Sequence, residues 1–320
     1  MTRPTYMPEC AASTFRVITK VMAPLVLGRD LNSPRDVHKL LTGFRGNPFA
    51  KAGLDAACWA LHAQELAEPL HQVFGGEPRE IPTGEAIGIH STVEELIEHI
   101  EIALANGFKR IKLKMAPGWD VEVLQKVREA LPNAPLQVDC NGAYNLEDIE
   151  IFKAIDDLDL AMIEQPLFYR DLADHAILQR ELKTPICLDE SVTCLKDAET
   201  AIRIGACRIM NVKYGRVGGF TEAMAIHDLC VEREMPCWLG SMLESGVGMS
   251  HTLALATLPG FNLPASIAIS GKYYQFDILK PGLEMSGPGV IIPAHQTGIG
   301  HRVDEGLVKS ITLTELTVKP

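Results

Sequence analysis

Five charged residues recur at near-constant intervals through the middle of this chain, and each falls at the end of a short apolar run. The three acids are Asp139, Glu164 and Asp189, in the runs LQVDCN, AMIEQP and PICLDES. Lys112 precedes them and Lys213 follows them, so the successive intervals are 27, 25, 25 and 24 residues. One strand, one helix and two loops take about that length. The spacing therefore predicts five consecutive βα units, each with a charged residue at the end of its strand.

These strand ends would meet at one mouth if the parallel strands close into a barrel, and barrels of this kind carry their chemistry there. Three neighbouring carboxylates form a site made only of oxygen, which selects Mg²⁺ or Mn²⁺ over zinc. Without a cation the acids would repel one another and raise at least one pKa. Asp139, Glu164 and Asp189 are therefore the predicted metal ligands, and the alternative is a set of independent salt bridges with the lysines.

The lysines place amines on two sides of the predicted metal. Lys112 and Lys114 lie two residues apart in RIKLK, so they share one face of a strand. Lys213 lies four predicted strands further on, across the barrel. A small-molecule carboxylate held between such amines can lose its α-proton to a lysine while the cation stabilises the enediolate. The pattern predicts an enzyme that abstracts a proton α to a carboxylate.

The rest of the chain predicts the fold that positions these residues. Residues 1–80 have helical periodicity, and residues 276–320 are turn-rich, with strand-like stretches such as SITLTELTV; we expect this tail to pack on the N-terminal helices. Between them, continuous apolar runs alternate with amphipathic segments, as in parallel sheets buried on both faces. This pattern predicts an α/β fold, a (β/α)7β TIM-like barrel over residues 81–275. The predicted strands are residues 81–89, 110–114, 136–141, 161–166, 185–191, 208–214, 236–242 and 266–270.

Composition narrows the classes of function. Hydrophobic residues make up 47% of the 320 residues, enough for a large core. The net charge of −11, without a basic cluster, argues against a nucleic-acid partner, and no apolar run reaches the length of a membrane span. The N-terminal residues lack the apolar region of a signal peptide, and the eight cysteines are scattered without a Cys-x-x-Cys pair. We therefore expect a cytoplasmic protein with reduced cysteines.

Taken together, the motifs IKLK, VDCN, IEQP, LDES and NVKYGRVGG resemble the enolase superfamily in its muconate lactonizing subgroup. The segments IKLKMAPGWD and WLGSMLESGVG are more specifically similar to the o-succinylbenzoate synthase and N-succinylamino acid racemase family. The resemblance covers residues 5–305. It implies that Lys114 is the base, that Lys112 stabilises the bound carboxylate or the intermediate, and that Lys213 serves the opposite face. It also implies Mg²⁺ on the three acids and assembly into a homo-oligomer.

The same resemblance gives supporting roles to further residues. Asn141 and Glu190 would orient the metal ligands and the base. Arg216, three residues after Lys213, would position that lysine as a second acid or base, or would form an ordinary salt bridge. The segment on the seventh strand would line a succinyl pocket with Ser241, Met242, Leu243 and Glu244.

The activity implied by the resemblance is Mg²⁺-dependent o-succinylbenzoate synthesis, the dehydration of 2-succinyl-6-hydroxy-2,4-cyclohexadiene-1-carboxylate in menaquinone biosynthesis. The alternatives are racemisation of N-succinylamino acids, alone or beside the dehydration, and a cycloisomerase reaction of the muconate type. Family members carry antiparallel strands ahead of their capping helices, so residues 1–80 are expected to be the helical remainder of an N-terminally truncated α+β capping domain. If that cap is absent, a barrel that binds ligand without turnover is a further alternative.

Overall fold

A curved parallel sheet of seven strands forms the centre of the computed structural model, which describes residues 6–319. The seven strands, β2 to β8 in the numbering below, lie side by side in chain order. Almost all their residues are buried, which is why the strands are continuous apolar runs. In chain order the strands are β1 (Ile81–Pro82), β2 (Gly84–Ile87), β3 (Arg110–Lys114), β4 (Leu136–Asp139), β5 (Ile163–Glu164), β6 (Ile186–Leu188), β7 (Ile209–Val212), β8 (Cys237–Leu239), β9 (Leu279–Lys280), β10 (Val290–Ile291) and β11 (Arg302–Val303).

Helices connect consecutive strands of the sheet, as the alternating sequence pattern predicts. Within residues 6–319, none of them is long and apolar enough to cross a lipid bilayer. The helices are α1 (Ala11–Val17), α2 (Ala23–Val26), α3 (Pro34–Leu41), α4 (Pro48–Glu65), α5 (Leu70–Val73), α6 (Val93–Ala105), α7 (Val121–Ala130), α8 (Ile149–Ile155), α9 (Ala173–Glu181), α10 (Leu195–Ile204), α11 (Tyr214–Val217), α12 (Phe220–Glu232), α13 (Gly246–Leu255) and α14 (Glu305–Ile311), with a π-helical turn joining α1 to α2 and a 3₁₀ turn before α8.

The predicted eighth strand at residues 266–270 is wrong, and irregular backbone takes its place beside β2 and β8. Ala265 accepts a hydrogen bond from Gly84 N over 2.9 Å, and Ser266 N donates to Leu239 O over 3.0 Å. Beyond this point the backbone turns to the tail, because Ser270 N donates to Leu283 O. The segment therefore bridges the two edges of the sheet at its start without continuing as a strand.

The first predicted strand, residues 81–89, is divided between two sheets. β1 pairs antiparallel with β10 of the tail, whereas β2 pairs parallel with β3 and opens the seven-stranded sheet. The division falls at Thr83, whose N–H and hydroxyl both donate to Gly289 O. Hydrogen bonding to the tail therefore takes the first two residues out of the parallel sheet.

The N-terminal helices form a small core of their own and contact the barrel through α4. Met22, Val37, Leu41 and Ala50 are buried in that core. On the other side of α4, the carboxylate of Asp55 accepts hydrogen bonds from the backbone at the start of α12. A buried acid on one helix thus caps another helix and ties the helical region to the barrel.

The tail packs against the N-terminal helical region, although its predicted strand is not formed. Leu70 N donates to Gly298 O over 2.7 Å, and Gly298 N donates to Glu68 O over 2.9 Å. The strand expected in SITLTELTV is wrong, because α14 runs to Ile311 and the residues after it are irregular and exposed. Leu313 is 99% exposed, so no strand among the described residues 6–319 covers this stretch. The domain boundaries after residues 80 and 275 stay predictions.

Candidate active site

The register of the sheet brings the predicted base level with two of the predicted metal ligands. Lys114 on β3 is the register partner of Asp139 on β4, and Asp139 is the partner of Glu164 on β5. Asp189 follows directly after β6, and Lys213 follows directly after β7. These charged groups therefore stand at the carboxyl ends of neighbouring strands, where the spacing of the sequence places them.

Two lysines of β3 contact the acids of β4 and β5. The Lys112 ammonium lies 2.9 Å from Asp139 Oδ2 and 3.2 Å from each carboxylate oxygen of Glu164. The Lys114 ammonium lies 2.7 Å from the same Asp139 oxygen and also donates to Asn141 Oδ1. Only 9% of the Lys112 side chain is exposed, compared with 36% of the Lys114 side chain. Lys114 is therefore the member of the pair that a substrate entering from solvent can reach.

The third acid, Asp189, is held by two cations from the β7 end of the sheet. Lys213 Nζ donates to Asp189 Oδ2 over 2.7 Å, and Arg216 Nη1 donates to the other carboxylate oxygen. Both cations are buried. The single turn of α11 begins directly after Lys213 and brings Arg216 back over the end of the strand. Arg216 and Lys213 therefore donate to the same carboxylate, that of Asp189. A shift of Arg216 would move the acceptor to which Lys213 donates.

Burial and neighbouring charges separate the pKa values of the three acids. Burial alone would raise the pKa of Asp139, but Lys112 and Lys114 outweigh burial and lower that pKa. The pKa of Asp189 is lowered in the same way, against burial, by the arginine and the lysine that contact it. The pKa of Glu164 is instead raised, first by burial and then by the charge of Asp139. The repulsion expected for adjacent carboxylates is therefore concentrated on Glu164.

Asn141 and Glu190, the residues predicted to orient the base and the ligands, contact each other. Asn141 Nδ2 donates to Glu190 Oε1 over 2.8 Å, while Asn141 Oδ1 accepts from Lys114. Asn141 has a φ of 45°, a left-handed conformation that asparagine adopts more readily than most residues. Burial and the charge of Asp189 raise the pKa of Glu190. Both residues therefore lie between the predicted base and the third acid.

Three further polar residues lie beneath the acids, and the sequence analysis did not identify them. Gln137 Nε2 donates to one oxygen of Glu164, and Asn211 Nδ2 donates to the other over 2.9 Å. Arg110 Nη1 donates to Gln137 Oε1 over 2.7 Å, and the guanidinium lies 4.0 Å from the centre of the Trp238 ring. Each of the three precedes a predicted site residue by two positions in the chain. The period of two along a strand was therefore the signal that could have found them.

The four residues predicted to line a succinyl pocket lie between β8 and α13 and differ in exposure. Leu243 is 63% exposed, whereas Ser241 and Met242 are half-buried. The carboxylate of Glu244 turns back into the protein, where it accepts hydrogen bonds from Met242 N and Thr252 Oγ1 over 3.1 and 3.0 Å. Burial raises the pKa of Glu244 to about 7. Glu244 therefore holds the shape of this segment and titrates near neutral pH.

A cavity of about 1020 Å³ lies between the N-terminal helices and the residues that contact the site lysines and acids, and none of the three acids themselves lines it. Its wall includes Tyr6, Asn141, Glu190 and Arg216, together with residues of α3, α4 and α10. Cavities of this volume lie at the upper end of the range for small-molecule sites. The polar residues beside the three acids are therefore open to a ligand-sized space.

The donor set suits a hard divalent cation, although the acids contact lysines here. Within residues 6–319, no three His, Cys, Asp or Glu side chains already have the mutual arrangement of a metal site. Lysine ammonium groups instead lie 2.7 to 3.2 Å from carboxylate oxygens of all three acids. The pKa of Glu164 is raised, first by burial and then by the charge of Asp139, and a bound cation would favour its charged form. A cation of the Mg²⁺ type would bind such oxygens.

A parallel barrel-type sheet with buried acids and lysines at its strand ends defines an enzyme class in which the strand ends carry the chemistry. Residues 95–307 match the family described as enolase C-terminal domain-like. Residues 1–75 match the N-terminal domain of the mandelate racemase and muconate lactonizing enzyme family. The chain therefore belongs to the enolase superfamily, as its motifs predict.

Within that superfamily, the chain is similar in sequence to o-succinylbenzoate synthases and to N-succinylamino acid racemases. The o-succinylbenzoate synthase of Geobacillus kaustophilus is 45% identical over 309 residues, which cover 97% of this chain and 82% of the relative. The N-succinylamino acid racemase of Thermus thermophilus is 45% identical over 310 residues, which cover 97% of this chain and 84% of the relative. A solved structure of an enolase superfamily member from Listeria innocua superposes with a TM-score of 0.95 at 36% identity, covering 98% of this chain and 84% of that one. The chain is thus equally similar to a synthase and to a racemase.

Proposed function

We propose that this chain is an o-succinylbenzoate synthase that removes water from 2-succinyl-6-hydroxy-2,4-cyclohexadiene-1-carboxylate, with Mg²⁺ or Mn²⁺ held by Asp139, Glu164 and Asp189. The observation that carries the proposal is the placement of the lysines, because Lys114 contacts the first acid and Lys213 contacts the third. The acid set thus has an amine at each end. The similarity to synthases over almost the whole chain supports the choice of substrate.

The three lysines have different roles in the proposed dehydration. Bound Mg²⁺ would compensate the charge of the acids and stabilise the negative charge that develops on the substrate carboxylate as the α-proton leaves. Lys114, the partly exposed lysine, takes the α-proton and then returns it to the departing hydroxyl on the same face. Lys112 is enclosed behind it and supplies a fixed positive charge near the substrate carboxylate. Lys213 supplies a second fixed charge from the other end of the acid set.

The test of the base is turnover in a Lys114→Ala variant. The unsubstituted protein should form o-succinylbenzoate in the presence of Mg²⁺ and stop when EDTA removes the cation. Lys114→Ala should lose both turnover and exchange of the substrate α-proton with D₂O. The matched control is Lys109→Ala, which removes an exposed lysine just before β3 and should leave turnover unchanged. Product formation by Lys114→Ala at the original rate would contradict this assignment.

A second activity, racemisation of N-succinylamino acids, is supported by the position of Lys213. Racemisation returns the proton to the face opposite the one it left, so it requires an acid or base on both faces. Lys213 is fixed by Asp189, which Arg216 also contacts, so the chain has a second lysine held in a defined place. Incubation of one enantiomer of an N-succinylamino acid in D₂O should give the other enantiomer labelled at the α-carbon. Recovery of unlabelled starting enantiomer would rule this activity out.

The succinyl group of either substrate would lie against Ser241, Met242, Leu243 and Glu244. Met242 is half-buried, whereas Leu243, the other apolar residue of this segment, is largely exposed. Met242→Gln should therefore raise KM more than it lowers kcat, because it changes binding of a part of the substrate that does not react. An unchanged KM would place the succinyl group elsewhere.

A further inference from the structure

The residues that hold Lys114 and Lys213 in place by hydrogen bonds lie close together on the wall of the cavity. On one side, Lys114 donates to Asn141, and Asn141 donates to Glu190 Oε1 over 2.8 Å. On the other side, Lys213 and Arg216 share the carboxylate that follows β6. The second oxygen of Glu190 is buried and makes no hydrogen bond to any residue in the range 6–319. The position of the Glu190 carboxylate therefore depends on the groups that contact Oε1.

Tyr6 connects these two sets of hydrogen bonds. Its hydroxyl donates to Glu190 Oε1 over 2.6 Å and accepts from Arg216 Nη2 over 2.8 Å. The guanidinium carbon of Arg216 also lies 5.7 Å from the centre of the Tyr6 ring. These partners are 184 and 210 residues away in the chain. A continuous set of hydrogen bonds thus runs from Lys114 to Lys213, and Tyr6 is the member supplied by the N-terminal segment.

The N-terminal segment is itself anchored a few residues further on. Glu9 is buried, and its carboxylate accepts hydrogen bonds from Phe49 N and Ala50 N over 2.9 and 3.1 Å. These are N–H groups of the first turn of α4, where a carboxylate is stabilised by the helix dipole. Because α4 is tied to the barrel through Asp55, the position of the Tyr6 hydroxyl is fixed relative to the strand ends.

We propose that Tyr6 is a positioning residue for the Lys213 side of the site. Its hydroxyl holds Arg216, and Arg216 holds the carboxylate to which Lys213 donates. Loss of the hydroxyl leaves Arg216 with one fewer acceptor and Glu190 with one fewer donor. On the Lys114 side, Asn141 still donates to Glu190, and Lys114 keeps its direct contacts with Asp139 and Asn141. A reaction that uses both lysines should therefore suffer more than one that uses Lys114 alone. This inference rests on the proposed function.

The test compares Tyr6→Phe with Tyr169→Phe, which removes a hydroxyl from the same cavity at a position whose ring packs on Phe168. The rate of α-proton exchange in D₂O is measured separately for each enantiomer of one N-succinylamino acid, together with kcat and KM for dehydration. Tyr6→Phe should slow exchange about tenfold for the enantiomer whose α-proton faces Lys213, the size expected for one hydrogen bond to a charged group. Exchange of the other enantiomer and dehydration should change less than about twofold, and Tyr169→Phe should not slow exchange of one enantiomer more than that of the other.

The outcomes separate this inference from the proposed function. Equal slowing of both enantiomers by Tyr6→Phe, or no slowing of either in a protein that is otherwise active, would overturn the role of Tyr6 alone. Absence of both activities from the unsubstituted protein with Mg²⁺ would overturn the proposed function, and the inference with it. Thermal unfolding of Tyr6→Phe within the range of the Tyr169→Phe control shows that the selective effect does not come from loss of the fold.

Discussion

The buried carboxylate of Asp55 should make the stability of this protein depend on pH in a defined direction. Asp55 lies on α4, is 1% exposed, and accepts hydrogen bonds from Phe220 N over 2.6 Å and from Thr221 Oγ1 over 3.0 Å. Burial raises its pKa from 3.8 to about 6, against the opposing effect of these hydrogen bonds. The folded state therefore binds the proton more tightly than the unfolded state, so Asp55 adds stability at low pH that is lost as the pH rises through about 6.

The size of this effect follows from the two pKa values. Proton linkage predicts that Asp55 contributes about 1.4 kcal/mol more to the free energy of unfolding at about pH 5 than at about pH 7.5. Asp55→Asn has nearly the same shape and does not titrate, and all other ionisable groups are common to both proteins. The difference in free energy of unfolding between the two proteins, measured by urea denaturation, should therefore shift by about 1.4 kcal/mol in favour of the unsubstituted protein at the lower pH.

Asp157→Asn is the matched control, since Asp157 is an exposed aspartate that pairs with Lys183 on the surface. Its stability relative to the unsubstituted protein should not change between the two pH values. A difference between the unsubstituted protein and Asp55→Asn that is the same at both pH values would refute the reasoning. It would mean that the Asp55 carboxylate stays charged in the folded protein across this range.

Three other changes test separate parts of the structure. Lys213→Arg should remove racemisation but leave reduced dehydration, since a guanidinium keeps the positive charge and cannot act as a base near neutral pH; equal loss of both activities would contradict a role confined to one face. Asp189→Asn should weaken Mg²⁺ binding in calorimetry and abolish turnover, and unchanged affinity would remove this residue from the predicted ligands. Gly219→Ala should lower the free energy of unfolding by about 2 kcal/mol, because φ is 130° and a Cβ would lie 2.5 Å from Asp55 Oδ2. Gly43→Ala, with nothing within 4 Å of the added Cβ, is its control, and equal urea midpoints for the two would contradict the steric argument.

The parts of the fold that depend on local pattern could be predicted from the sequence. Strands β3 to β8 are apolar runs bounded by turns, and their spacing leaves room for one helix each, so the parallel sheet and its charged strand ends follow. Two departures from the predicted parallel sheet depend on partners elsewhere in the chain. Residues 266–270 fail as a strand because Ser270 bonds to Leu283, and residues 81–82 leave the parallel sheet because they pair with β10. Neither pairing has a signal in the local pattern.

Some residues of the site could likewise be predicted from the local sequence pattern, and others could not. Gln137 and Asn211 could have been found, since each precedes a predicted ligand or lysine by two residues and so lies on the same face of the strand. Tyr6 could not, because its role depends on a turn of the N-terminal segment that brings it next to residues about 200 positions away. A lone tyrosine before the first helix has no periodicity and no charged neighbour to indicate such a contact.

The two lysines differ in a way that bears on how one site could carry out two reactions. The Lys114 side chain is 36% exposed, so it can exchange its proton with solvent, whereas Lys213 is 7% exposed and bound to a buried carboxylate. A reaction in which one lysine takes and returns a proton depends on Lys114 and needs only charge from Lys213. Racemisation needs Lys213 to give up or accept a proton at a fixed position, and that position depends on Asp189, Arg216 and Tyr6. The ratio of racemisation to dehydration should therefore depend on the residues that position Lys213, which are Asp189, Arg216 and Tyr6. This should hold even in related chains that keep all the lysines and acids of the site.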